Sequence, residues 1–321
     1  MQLISAEAVD RILDHHSLAD ALADAFRGGV TAPVRHHHTI ERAKGTDSTL
    51  LLMPAWSDFS QPVSGNGYMG VKIATVSPDN NDIGKPAVMA VYLLSDGTTG
   101  EPLALIDGQS LTLWRTATAS ALAGRYLARK GASRMAMIGA GKLSGHLIRA
   151  HAAMHPLVHV TIWNRSRSNA DKLAEELATE SFSVDVTEDR EAAIADADII
   201  SAATISATPL IEGAWLKAGA HVDLVGAFKP DLRESDDDAV RRAILFVDTF
   251  DGAWKEAGDL VQPIKAGIIS RDDIAAELAM LCRGDHPGRR DDMEITLFKS
   301  TGASLEDFAA GCLVWEKFLE A

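Results

Sequence analysis

An α/β protein is what this sequence predicts, with a doubly wound parallel sheet in one domain and an α+β arrangement in another. Three observations carry that expectation. A short apolar run, Met135-Ala136-Met137-Ile138, ends in Gly139-Ala140-Gly141, and a helix-compatible segment, 145–154, follows. A second apolar run, 158–163, comes about one βαβ unit downstream, which is how a Rossmann-type domain opens. Further apolar runs at 183–186, 198–202, 221–225 and 244–247 alternate with helical segments, as a doubly wound sheet requires.

The segments on either side read differently. Residues 4–13 and 18–26 have the spacing of two short amphipathic helices, with Ser5 and Ser17 as N-caps and Asp20 at capping-box distance from Ser17. Gly28-Gly29 ends the pair. Pro33-Val34-Arg35-His36-His37-His38 reads as a polar strand end; neighbours on a strand point to opposite faces, so three adjacent histidines do not readily share one metal ion. Strands are predicted at 50–53, 69–76, 87–94 and 103–106, with Asp96-Gly97 and Thr99-Gly100 supplying turn chemistry between the last two. Such a run of strands ahead of the βαβ region predicts a separate, largely antiparallel domain. An Ala-rich helix over 116–129 leads into the glycine-rich strand, and 169–177 forms a later helix. The acidic stretch 231–238 reads as a solvated face, 283–292 as an exposed connection, and 305–319 as a closing amphipathic helix.

Composition narrows the partners. The chain has 321 residues and a formal net charge of −14, which argues against nucleic acid and anionic membrane surfaces. An anionic small substrate stays open, since a site can be locally basic inside an acidic protein. Cys282 and Cys312 lie in no ligand-like spacing, so neither a metal site nor a disulfide is expected, and both read as buried thiols. Without a signal-like start or a membrane-length apolar run, the protein is expected to be cytoplasmic.

The candidate chemistry sits in two places. Gly139 suits a tight turn, Gly141 admits a pyrophosphate close to the backbone, and Ser144 stands where a third small residue eases helix–strand packing. The helix that follows offers free N–H groups to phosphates. Taken alone, this pattern also fits an ordinary strand–helix turn. At the end of the second strand, Asn164-Arg165-Ser166-Arg167 replaces the carboxylate that usually holds a ribose 2′-hydroxyl. A guanidinium beside a hydroxyl suits a 2′-phosphate, hence NADPH, with NADH bound more weakly; a basic surface turn is the alternative. In the first domain Arg35, Lys72 and Arg115 are long cations in apolar settings, where each either snorkels outward or faces a cleft. Converging, they would make a carboxylate receptor. No nucleophile elbow, P-loop lysine motif or zinc-protease motif is present.

These stretches resemble the ornithine cyclodeaminase/mu-crystallin family. Pro33-Val34-Arg35, Met53-Pro54-Ala55, Gly70-Val71-Lys72 and Leu113-Trp114-Arg115-Thr116-Ala117 carry the resemblance in the first part. Gly139-Ala140-Gly141, Trp163-Asn164-Arg165-Ser166, Val225-Gly226-Ala227, Glu256-Ala257-Gly258-Asp259 and Phe298-Lys299-Ser300-Thr301-Gly302 carry it further on. The resemblance implies a substrate-binding and dimerisation domain over 1–117, a Rossmann NAD(P)-binding domain over 118–292, and a segment, 293–321, that returns to the first domain. It implies a homodimer. It also implies that Arg35, Lys72 and Arg115 match the substrate-carboxylate and catalytic cations. Gly139, Ala140, Gly141, Leu143, Asn164, Arg165 and Ser166 match cofactor positions, with Thr204, Gly226, Ser300 and Gly302 bordering the nicotinamide. Two departures are visible. Leu143-Ser144 replaces a common Gln and Ala, and Val225-Gly226-Ala227-Phe228 puts an aromatic where cyclodeaminases carry a catalytic Asp. That motif looks most like the Δ1-pyrroline-2-carboxylate reductase branch, whose setting is proline metabolism and hydroxyproline degradation. The implied reaction is NADPH-dependent reduction of a cyclic imino acid to L-proline, with the piperideine homologue giving L-pipecolate as a second possibility. Phe228 would then border the substrate. A cyclodeaminase, an alanine-dehydrogenase-like enzyme and a non-catalytic NADPH binder are the alternatives.

Overall fold

The computed structural model of this chain describes residues 1–61, 63 and 65–320. It divides into two compact units, Met1–Thr116 with Ala303–Ala321, and Ala117–Gly302. The return expected at 293 comes at Ala303, because 295–299 form an inner strand of the second sheet. Ala321, the last residue of that expected segment, lies outside the described residues.

The first unit begins with β1 (Gln2–Ile4), α1 (Ala6–Ile12) and α2 (His15–Arg27), then β2 (Val30–Thr31), β3 (His36–Ile40), β4 (Ser48–Ser57), β5 (Tyr68–Val76), β6 (Val88–Asp96) and β7 (Pro102–Asp107). Ser5 caps α1 as expected, its hydroxyl accepting from the Ala8 N–H. The second cap is not Ser17. Asp14 caps α2, with Oδ1 accepting from the Ser17 N–H at 2.9 Å, so the helix starts earlier on the stronger acceptor. The sheet runs β1-β7-β6-β5-β4-β2, with β3 also on β4. All its pairings are antiparallel except that of β1, a strand the sequence reading missed, which lies parallel to β7. β3 is exposed at each of its residues, and the His36 and His38 rings share one side, 6.3 Å apart.

Register sorts the two faces of this sheet. Met53, Lys72, Tyr92 and Ile106 stand opposite one another across β4, β5, β6 and β7, and all four are buried. The next row, Pro54, Val71, Leu93 and Leu105, points to the other face and is only partly covered. α3 (Gly108–Leu127) starts well before the expected 116. The Asp107 carboxylate accepts from the Ser110 N–H at 2.8 Å and nucleates that first turn, which places Arg115 inside the helix.

The second unit holds β8 (Arg134–Ile138), α4 (Lys142–Met154), β9 (His159–Trp163), α5 (Arg167–Glu176), β10 (Ser183–Thr187), α6 (Arg190–Asp196), β11 (Ile199–Ala202), β12 (His221–Leu224), α7 (Asp237–Arg242), β13 (Ala243–Val247), α8 (Phe250–Lys255), α9 (Gly258–Lys265), β14 (Ile274–Glu277), α10 (Leu278–Arg283) and β15 (Ile295–Lys299). Its strands are parallel throughout, in the order β10-β9-β8-β11-β12-β15-β13-β14. Met135 and Met137 join the core on one face of the sheet; Ala136 and Ile138 join the core on the other. That is the doubly wound α/β fold the sequence predicts. β14 and β15 were missed: β15 is buried along its whole length, so it carries no alternation to read. The stretch 283–292 is not simply exposed either. Arg289 is half-buried and donates to the carbonyls of Leu127 at 2.6 Å and Ala220 at 3.1 Å. Cys282 is buried as expected, whereas Cys312 is only partly so.

The chain ends in α11 (Ser304–Glu320), back in the first unit, against α1, α2, β4, β5 and β6. Phe308, Ala309, Ala310, Val314 and Trp315 form its buried stripe. Gly311 lets it approach the sheet, since a Cβ there would stand 2.5 Å from Tyr92 Cε1. Gly311→Ala is therefore expected to destabilise the protein by about 1–3 kcal/mol through overpacking. Urea denaturation would read the loss, and a Tyr92→Leu background should relieve much of it.

Candidate active site

In the second unit β8 is flanked by β9 on one side and β11 on the other, so the sheet's switch point lies at its carboxyl end. The turn there has the expected parts. Gly139 takes φ +113, and a Cβ on it would press on the Ala203 carbonyl at 3.0 Å. A Cβ on Gly141 would meet no protein atom within 4 Å, so the backbone is left open to a close ligand. The Ala140 N–H donates to Asn164 Oδ1 at 3.2 Å, tying the turn to the end of β9, and the Gly141 N–H donates to Ser144 Oγ at 3.1 Å. α4 then points its N-terminus at the same place. A cavity of about 400 Å³ opens here, lined by Gly139, Ala140, Gly141, Asn164, Arg165 and Thr204, and also by Trp163, Asn169, Ala203, Ile205, Ser206 and Leu210. These residues fit a dinucleotide: open glycine backbone, a helix N-terminus and a guanidinium at the far end of one strand.

Beneath the loops after β11 and β12 lies a carboxylate that the sequence reading assigned to a solvated face. Glu234 is fully buried. Its Oε1 accepts from the Thr204 N–H at 2.6 Å and the Thr204 hydroxyl at 2.8 Å; its Oε2 accepts from the N–H groups of Gly226 at 2.8 Å and Ala227 at 3.2 Å. Asp259 Oδ1 in turn accepts from the Glu234 N–H at 2.8 Å, and Lys299 Nζ lies 3.4 Å from Asp259 and 3.9 Å from Glu234. Burial pushes the Glu234 pKa upward, Lys299 opposes that, and Asp259 adds to it. The acidic run hid this role because one of its carboxylates turns inward among solvated neighbours.

In the first unit two of the three expected cations, Lys72 and Arg115, meet at one carboxylate. Lys72 on β5 and Arg115 on α3 are both buried. Lys72 Nζ lies 2.8 and 2.7 Å from the two oxygens of Asp307, and Arg115 reaches Asp307 through Nε at 2.9 Å and Glu306 through Nη1 at 2.7 Å. Asp307 and Glu306 sit on α11, and the sequence offered no sign of either beyond a first-turn acidic pair. Burial, then the Arg115 charge and, least of all, Arg35 bring the Lys72 pKa down to about 8 against the opposing pull of Asp307. For Arg115 burial also disfavours the charge, but Asp307 and Glu306 outweigh it and raise its pKa.

Residues 2–321 match the model of the ornithine cyclodeaminase/mu-crystallin family. The chain belongs to that family. Among curated relatives it is 40% identical over 324 residues to Protein SAR DEFICIENT 4 of Arabidopsis thaliana, covering 98% of this chain and 97% of that one. It is 36% identical over 331 residues to a Delta(1)-pyrroline-2-carboxylate reductase of Colwellia psychrerythraea, covering the whole of both. Among solved structures, Thermococcus litoralis Delta(1)-pyrroline-2-carboxylate reductase in complex with NADH and L-proline superposes with a TM-score of 0.92 at 33% identity, over 100% of this chain and 98% of that one.

The lining of the 400 Å³ cavity includes none of Leu143, Ser166, Gly226, Ser300, Gly302 or Phe228, though Gly226 packs against the Thr204 that lines it. Ser300 is buried, with its hydroxyl 3.4 Å from Asp248 Oδ2, and Gly302, at φ +80, donates its N–H to the same oxygen at 2.6 Å. Phe228 is 43% exposed, so it is not a core aromatic.

The Lys72–Arg115–Asp307–Glu306 cluster carries a stability consequence. Asp307→Asn would leave two buried cations facing one carboxylate, and breaking a buried pair costs about 3–5 kcal/mol. A fall of that order in unfolding free energy, measured in urea at pH 7, is the expected result.

Proposed function

We propose that this protein is an NADPH-dependent reductase of cyclic imino acids, taking Δ1-pyrroline-2-carboxylate to L-proline and accepting the piperideine homologue as a second substrate. The observation that carries the reading is the buried Lys72–Arg115 pair in a chain whose second unit has an open dinucleotide turn. Two of its relatives are named Δ1-pyrroline-2-carboxylate reductase, one of them solved with NADH and L-proline, which supports the reaction class. Lys72 and Arg115, with Arg35 near enough to bear on Lys72, are the cations that suit a substrate with a single carboxylate. Arg115 and Arg35 hold that carboxylate, Arg through its two-pronged donor geometry.

A nicotinamide dinucleotide held by the Gly139–Gly141 turn would supply the hydride that a C=N bond needs at carbon. Lys72 supplies the matching proton to the imine nitrogen, so that C=N becomes CH–NH. A lysine held near pH 8 keeps its proton at neutral pH yet gives it up readily. Gly139, Ala140 and Gly141 cradle the pyrophosphate, and Asn164, Arg165 and Ser166 receive the adenosine ribose. Thr204, Gly226, Ser300 and Gly302 border the nicotinamide, and Phe228 replaces the acid that cyclodeaminase chemistry needs, since a phenyl ring neither takes a proton nor orients water. The partly covered row Pro54, Val71, Leu93 and Leu105 is the face through which we expect two copies to pair as a homodimer.

The direct test is NADPH oxidation with Δ1-pyrroline-2-carboxylate, with L-proline identified as product and no ammonia released from L-ornithine; ammonia release, or failure to reduce any cyclic imine, would overturn the reading. If Lys72 is the donor, the rate of reduction holds below pH 8 and falls as pH rises through the lysine's pKa. Lys72→Arg should flatten that limb, whereas a limb kept in the variant would belong to the substrate. Arg165→Ala is expected to remove about 1.5–3 kcal/mol of NADPH binding while sparing NADH, so equal losses for the two would refute the 2′-phosphate contact. Val71→Glu should shift a dimer to monomer in sedimentation; an unchanged mass would exclude this face.

A further inference from the structure

We propose that Glu234 is a positioning residue for the nicotinamide half of the bound dinucleotide, acting by locking the loops after β11 and β12 into one surface. The inference rests on the cofactor reading above and deepens it.

The sheet order divides the crevice. Asn164 and Arg165 follow β9, on one side of β8, and hold the adenosine half; β11 and β12 lie on the other side, so the loops that leave them serve the other half. Thr204 leaves β11 and lines the cavity, while Gly226 leaves β12. The two loops are packed against each other, since a Cβ on Gly226 would collide with the Thr204 backbone. One carboxylate joins them: each of its oxygens takes two donors, one oxygen from each loop. Those N–H groups are consumed internally. What the loops present to a ligand is therefore their shape, and Glu234 sets it. The carboxylate is itself fixed from behind, through its backbone N–H to Asp259 and through Lys299. A glutamine at this position keeps one acceptor oxygen but turns an amide N–H₂ toward at least one backbone N–H, that of Thr204 or those of Gly226 and Ala227, which forces one loop away.

The test uses the full chain and two probes read by calorimetry. NADPH spans both halves of the crevice, and 2′,5′-ADP fills only the adenosine half. Glu234→Gln is expected to raise the Kd for NADPH about tenfold or more while leaving that for 2′,5′-ADP within about twofold. Hydrogen exchange should quicken at Thr204, Gly226 and Ala227 and not at Ala140. Equal weakening of both probes would mean that Glu234 merely supports the fold, and no weakening of either would mean that the loops hold without it; both results overturn the proposal. If the wild-type chain binds neither probe, the cofactor reading itself falls, and this inference with it. Should Glu234→Gln fail to fold, Glu234→Asp keeps the charge and withdraws it by one methylene, and the same selective loss is required of it.

Discussion

Asp307 holds the first unit together. Its two oxygens reach Lys72 on a central strand and Arg115 on the helix that follows the sheet, so the end of the chain is bound to its beginning. A buried ammonium and a buried guanidinium do not persist without carboxylates, and neither Lys72 nor Arg115 has an acidic neighbour in its own strand or helix turn. The closing helix must therefore return. Everything from Ala117 to Gly302 is an insertion between the two parts of one unit. Gly311, the ring of Tyr92 and the apolar stripe of α11 then fit the helix to the sheet once the charges have chosen its place.

The same physical demand shapes the second unit, with the signs reversed. There a carboxylate is buried first and collects donors around it. Glu234 satisfies three backbone N–H groups and a hydroxyl at the carboxyl ends of two parallel strands, where loops have no ladder partners of their own. Lys299 at the end of β15 offsets part of that charge, while Asp259 at the start of α9 adds to it and holds the Glu234 backbone. Parallel strands put all such loops on one side of the sheet. A ligand crevice at that edge then follows from topology, and its detailed shape follows from the buried acid.

Charge also connects stability with chemistry. A lysine kept from water and placed beside an arginine holds its proton less firmly than a surface lysine, and Asp307 stops that trend short of full neutrality. The contacts that let Lys72 remain folded are thus the contacts that set its proton affinity. An acidic protein with net charge −14 can in this way keep two cations buried side by side.

Local sequence was enough for whatever depends on neighbours along the chain. The run from Met135 to Gly141 specified a strand and a turn, the carboxylate missing at Asn164-Arg165 was legible, and apolar runs separated by turn residues marked β4 through β7. The doubly wound class followed from strand and helix spacing alone. Tertiary structure decided the rest, for a common reason: ionised side chains look alike in sequence, whether solvated or buried. Glu234 lies in a run of acids of which it alone is buried, and Glu306 and Asp307 look like ordinary first-turn residues of a helix. β15, buried on both faces, carries no period to read. Partners for Lys72 and Arg115 lie 235 and 192 positions away, at separations where only the folded chain brings opposite charges together.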